Sequence, residues 1–214
     1  MQELYITKIE NAKGNRRLVL VNDEPAFLLS ETEVKELKLL EGMLLGEDIS
    51  GRIEQILIKK ALQRSLQILE RRDKTEQELV KILREEYFSP RQIEAALTSL
   101  KEKNYLNDSR YAENFIRTRM KTKSRQELKN LLRQRGISDE NLETAFGEIW
   151  TEDPAEETAL IRHWMVKKHF DPQNADNAEK KKFMAFLMRK GFSYGDIRTV
   201  MEGIPEISDG VPTE

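Results

Sequence analysis

Arg110, Arg117 and Lys121 are three cations spaced seven and four residues apart. Each residue of an α-helix turns about 100° and rises about 1.5 Å, so this spacing returns to one face. Measured from Arg110, the three project at about 0°, 340° and 20°, a stripe about 16 Å long. Such a stripe can meet several phosphates of a nucleic acid or an acidic strip on a protein. Tyr111, Phe115, Ala112 and Ile116 project at about 100°, 140°, 200° and 240°, a broad apolar face on the other side. These aromatics are therefore expected in a core and not as platforms for bases. Asp108 is expected as the N-cap. The basic stripe continues in sequence through Lys123, Arg125, Lys129, Arg133 and Arg135, and only the fold can say which of these share its face. Arg119 projects at about 180°, inside the apolar face. A buried guanidinium needs a partner or an exit. It can snorkel past a fraying helix end, bridge to a neighbouring unit, or reach a binding partner.

Lys167, Lys168 and Lys180 to Lys182 form a second basic cluster, with Lys181 at its centre and Arg162, His163, Trp164, His169 and Phe170 nearby. His163 and His169 are six apart, the wrong spacing for one helix face, and cysteine is absent, so no metal site is expected. Trp150 and Trp164 are expected in cores. Arg71 and Arg72 suit the C-terminal end of a helix as well as a binding role. There is no glycine-rich phosphate loop and no Asp/Glu cluster with ligand spacing. An enzyme such as a metal-dependent nuclease, and any cofactor, are disfavoured on those grounds.

The net charge of −2 conceals segregation. Residues 110–135 hold nine Lys/Arg and two Asp/Glu, a net of +7, while 136–160 hold eight acids and no base. Residues 161–191 return to +5, and 192–214 fall to −4. Adjacent windows of opposite sign are compatible with an ordinary charged surface or with a face for a polyanion. With no cysteines, disulfides and thiolate metal sites are excluded. No apolar run approaches the roughly 18 residues that span a bilayer, and MQELYITKIE lacks the apolar stretch of a signal peptide. A cytoplasmic protein without membrane contact is the expectation.

The elements that would position these cations are mostly helical. YITKIE alternates, NAKGNR is turn-rich and RLVLV is a β-branched run, so residues 5–29 read as strands, with PAFLL as a possible third. SETE (30–33) has capping-box form, and EVKELKLLEG reads as a helix ended by Gly42. From about residue 52 onward the spacing is helical throughout. Three 23-residue stretches align without gaps: ELVKILREEYFSPRQIEAALTSL (78–100), ELKNLLRQRGISDENLETAFGEI (127–149) and KFMAFLMRKGFSYGDIRTVMEGI (182–204). Apolar residues match at Leu79/Leu128/Phe183, Leu83/Leu132/Leu187, Phe88/Ile137/Phe192 and Ile93/Leu142/Ile197, and a serine recurs at 89, 138 and 193.

Each unit reads as a helix, a capped second helix, then a serine-capped third. The second-helix caps are Thr75 with Glu78, Ser124 with Glu127, and Asp176 with Glu179. Gly136 and Gly191 suit left-handed stops, a place held by Tyr87 in the first unit. Leading helices are expected at about 52–71, 109–121 and 154–169, the last opened by Asp153-Pro154-x-Glu156. The fold class is mainly α: three tandem three-helix repeats in an elongated array, with a small N-terminal β-strand and helix extension. The expected divisions are 1–51 for the extension, 52–106, 107–150 and 151–205 for the repeats, and 206–214 for a tail containing ISDGVPTE.

RRDKTEQELVKILREEYFS (71–89), LKEKNYLNDSRYAENFIRTRM (100–120) and SRQELKNLLRQRGIS (124–138) resemble the RecX family, the bacterial regulators of the RecA recombinase. The middle piece, with Leu-Asn-Asp-x-Arg-Tyr-Ala and then Phe-Ile-Arg-x-Arg, is the most specific, and the resemblance spans about 58–204. The third unit is looser, because DPQNADNAEKKK lengthens its first loop. The resemblance implies a non-enzymatic, mainly inhibitory monomer that binds the RecA–DNA nucleoprotein filament, along its helical groove. There it would restrain ATP hydrolysis, filament growth or strand exchange, in recombination, DNA repair and the SOS response. The alternative is a stand-alone helical binder of single- and double-stranded DNA that competes for it. Either role would use Arg110, Arg117, Arg119, Lys121, Lys123, Arg125, Lys129, Arg133, Arg135, Lys167, Lys168 and Lys181.

Overall fold

The computed structural model describes residues 3–150 and 154–203, with the backbone alone at 154–156. The expected start at Asp153 with Glu156, and the expected tail, lie outside the residues so described.

Three strands open the chain: β1 (Ile6–Ala12), β2 (Arg16–Val21) and β3 (Glu24–Ser30). They form an antiparallel meander in the order β1-β2-β3. Asn22 and Asp23 join β2 to β3 with φ of 50° and 70°. Two consecutive left-handed residues match the twist of the flanking strands, which is why Asn-Asp suits this turn. Ser30 then caps α1 (Glu31–Glu36), and Glu33 returns the bond to the Ser30 N–H in a capping box.

This helix is shorter than the sequence implies. It stops at Leu37, and Gly42 does not end it. Lys38 turns left-handed at φ 53°, and the Leu39 N–H donates to the Val34 carbonyl at 3.0 Å. The early stop lets Leu37 and Leu39 both turn into the core of the sheet. Gly42 instead donates its N–H to the Ile6 carbonyl at 2.7 Å, where the returning chain lies along β1.

The next helix, α2 (Glu47–Arg71), starts earlier than expected. Glu47 and Asp48 favour that start, because acids in a first turn meet the positive end of the helix dipole. Ile53 and Leu57 bury against the sheet, while Leu62, Leu66 and Leu69 pack against α3 (Glu76–Glu85) and α4 (Pro90–Glu102). One helix thus serves both the extension and the first repeat. Thr75 and Ser89 make full capping boxes at the starts of α3 and α4, with Pro90 at the first helical position. Tyr87 takes φ 65° at the stop between them, as expected.

The chain divides into two compact units, 1–107 and 108–214. The second holds α5 (Asp108–Arg119), α6 (Arg125–Arg133), α7 (Asp139–Ile149), α8 (Pro154–Lys168), α9 (Asn177–Arg189) and α10 (Tyr194–Glu202). Gly136 and Gly191 are left-handed, at φ 83° and 89°. The matched apolar columns converge: Leu128, Leu132, Ile137 and Leu142 in one core, and Phe183, Leu187, Phe192 and Ile197 in another.

A candidate basic interface in the second and third repeats

Helix α5 places Ala112, Phe115 and Ile116 in the core of the second repeat, with Tyr111 half-buried, as its spacing requires. Asp108 is the first helical residue and lies inside the helix, so it is not the N-cap. Arg110 and Arg117 are exposed on the opposite face. Their separation along the axis is about 10 Å. Lys121 is exposed too, but α5 ends at Arg119, so Lys121 sits on the following turn and not on a helical stripe. Two bonds make that turn: the Thr122 and Lys123 N–H groups both donate to the Arg119 carbonyl.

The remaining cations of 119–135 are largely engaged within the fold. Arg119 lies 4.1 Å over the centroid of the Phe115 ring and donates from Nη1 to Thr118 Oγ1 at 2.9 Å. Arg135 approaches the same ring at 5.3 Å and donates to the Tyr111 hydroxyl at 2.7 Å. Arg125 and Lys129 stand 5.6 and 5.5 Å from the centroid of Phe146. Lys123 pairs with Glu127, and Arg133 pairs with Asp139 at 2.8 Å. In the third repeat Lys167 and Lys190 both approach Trp164, at 4.9 and 5.2 Å, and Lys168 approaches Phe186 at 5.3 Å. Lys181 is exposed on α9. The π faces of Phe115, Phe146 and Trp164 each hold two cations, which lowers the cost of bringing like charges together.

Ser124 has a larger role than a simple cap. Its hydroxyl accepts from the Glu127 N–H at 3.1 Å and donates to the Lys190 carbonyl at 2.7 Å, and the residue is fully buried. The reciprocal half of the expected capping box is absent among the described residues, because the Glu127 carboxylate turns to Lys123 and lies 4.0 Å from Lys190. In its place Glu157 of α8 accepts the Arg125 N–H at 2.8 Å. A β-carbon at Gly191 would lie 2.8 Å from Ser124 Oγ. The second and third repeats therefore meet where the N-terminus of α6 sits on the turn after α9. The sequence comparison of repeats cannot show this, since Ser124 looks like any other cap. The signal in the sequence is the glycine at 191, which serves both the left-handed stop and this close approach.

Known proteins contain three-helix units of the same kind. Models of the first, second and third three-helix domains of RecX match residues 61–100, 107–145 and 155–201. Regulatory protein RecX of Clostridium perfringens (strain SM101 / Type A) is 30% identical over 196 residues, which is 88% of this chain and 91% of that one. Regulatory protein RecX of Bacillus subtilis (strain 168) is 29% identical over 210 residues, 96% of this chain and 79% of that one. A crystal structure of regulatory protein RecX shares the fold over 93% of this chain, with a TM-score of 0.64 and 24% identity. A crystal structure of RecX from Lactobacillus salivarius covers 70% of this chain, with a TM-score of 0.59 and 25% identity. With a sheet-and-helix extension followed by three RecX-type three-helix domains, the chain belongs to the RecX family of regulatory proteins.

Proposed function

We propose that this chain binds the RecA–DNA filament and restrains RecA, mainly as an inhibitor of ATP hydrolysis, filament growth and strand exchange. It does so as a cytoplasmic monomer, without catalysis of its own. The observation that carries this reading is the exposed basic surface of the second repeat. Arg110, Arg117 and Lys121 are exposed, and Arg117 and Lys121 make no ion pair among the described residues. Cations left toward solvent beside a well-packed core suit a polyanionic or acidic partner. Lys167, Lys168 and Lys181, all exposed, extend this basic character to the third repeat.

The deciding measurement is RecA ATPase on single-stranded DNA with substoichiometric protein. Inhibition is expected. Reversing Arg110, Arg117 and Lys121 together to Glu should weaken it while leaving the thermal midpoint unchanged. Full inhibition by that variant would remove this surface from the contact. The competing reading, a DNA binder that merely occupies the strand, predicts steep loss of binding with salt and no need for RecA. Inhibition retained in excess chelator, with intact DNA, would set aside a nuclease.

A further inference from the structure

A cavity of about 600 Å³ lies in the third repeat, between the end of α8, the loop 169–176 and α9. That is the size of a site for one small ligand. Its apolar wall is aromatic. Phe170 stacks on Phe183 with ring centroids 4.1 Å apart and 10° between planes, and Phe186 lies 6.0 Å from Phe183. Along α9 the lining residues Glu179, Lys182, Phe183, Phe186 and Arg189 follow one helical face. That face runs about 15 Å.

The two ends of the face differ. Glu179, Asp171 and Asn174 line one end, and both acids are committed to shaping the loop. Asp171 accepts from the Gln173 N–H at 2.9 Å and from Asn174 Nδ2 at 2.7 Å, bonds that hold its carboxyl below the usual range. Glu179 accepts the Asp176 N–H at 3.0 Å in the capping box of α9. Arg189, at the other end, is exposed and makes no ion pair among the described residues, and Lys168 reaches in over the neighbouring Phe186 ring at 5.3 Å, while Lys182 stands one turn from Glu179. His169 completes the rim with φ 50°, a left-handed backbone that a β-carbon disfavours. The Phe170 N–H, donating to the Met165 carbonyl at 2.9 Å, holds the chain in that turn and sets the Phe170 ring against Phe183.

We propose that this cavity binds one nucleotide unit, with its base on the Phe170–Phe183–Phe186 wall and its phosphate at Arg189 and Lys168. An aliphatic anion would leave the aromatic wall wet, and a neutral ring would leave the cations unused. A nucleotide satisfies both, and its base edge meets the carboxylate and amide groups of the other end. Stacking on aromatic rings tolerates any base. A free nucleotide and one nucleotide of a single strand share this chemistry. The biological role of the site rests on the regulatory reading above, but the binding itself does not.

Trp164 reports on the cavity, because its ring lies 5.3 Å from that of Phe186. Titrating the full chain at low salt with ATP, and separately with a short oligo-dT, should change tryptophan emission saturably. A response to ATP alone marks a free nucleotide, a response to oligo-dT alone marks a strand, and either supports the site. Lys168→Ala and Arg189→Ala, both at exposed positions, should each weaken the Kd about five- to tenfold. Arg198→Ala, in the same repeat but outside the cavity, should bind as the native chain does. No saturable response to either probe, or unchanged binding in both cavity variants, overturns the proposal. RecA ATPase keeps the two readings apart: inhibition without cavity binding sinks the site alone, and cavity binding without inhibition sinks the regulatory reading alone.

Discussion

Arg119 lies on the apolar side of α5, yet among the described residues it makes no ion pair. Its guanidinium covers Phe115 at 4.1 Å, and it stays half-buried, so part of its hydration survives. This removes the need for a bridge between units that its helical angle suggested. Arg119→Ala should lose about 0.5–1 kcal/mol of stability in urea unfolding, the scale of an accessible cation–π contact. Arg117→Ala should stay within about 0.5 kcal/mol, as exposed substitutions usually do. If the two cost the same, the ring contact contributes nothing. The angle of Arg119 was legible from its spacing. Its partner was not, because the ring it covers belongs to a residue that spacing assigned wholly to the core.

At the scale of the element, capping decides most boundaries. Thr75, Ser89 and Asp176 behave as the Ser/Thr/Asp-x-x-Glu/Gln pattern predicts. Ser124 departs from it, because the neighbouring repeat supplies a carboxylate to the next N–H, that of Arg125, and a carbonyl that accepts the Ser124 hydroxyl. Ser138→Ala, at an exposed cap, should cost about 1 kcal/mol. Ser124→Ala should cost about 2–3 kcal/mol, since it also leaves the Lys190 carbonyl without its donor. Equal costs would mean that the joint between repeats carries no stability. Glu33 offers a test with pH. Burial raises its pKa, but bonds from Lys60 and from Ser30 outweigh that and hold it below its ordinary value. A depressed folded pKa gives stability that is present above the ordinary carboxylate range and lost as pH falls through the folded value. The native chain should therefore lose urea resistance below about pH 4.5. Glu33→Gln keeps the cap but loses the Lys60 pair, so it should be weaker at pH 7 and show a shallower acid loss. An unchanged acid slope would remove Glu33 as its source.

At the scale of the molecule, the two compact units carry separate cores. Calorimetry should show Ser124→Ala lowering the transition of residues 108–203 while sparing that of 3–107, with Glu33→Gln doing the reverse. A single transition shifted alike by both would show the units unfolding as one. No helix among the described residues is long and apolar enough to cross a membrane.

The three-helix units, their apolar columns and most caps were determined by sequence alone. Periodicity and cap chemistry act within about four residues of each other, so a linear reading captures them. Three things were decided only by tertiary structure. The helix after Ser30 stops early because Leu37 and Leu39 are needed in the core of the sheet. Most cations of 119–135 are drawn onto rings or acids, leaving Arg117 and Lys121 outward. Ser124 and Gly191, 67 positions apart in the sequence, meet at one joint because packing brings a helix start onto a distant turn. Each depends on a neighbour remote in the chain, and no local period carries that information.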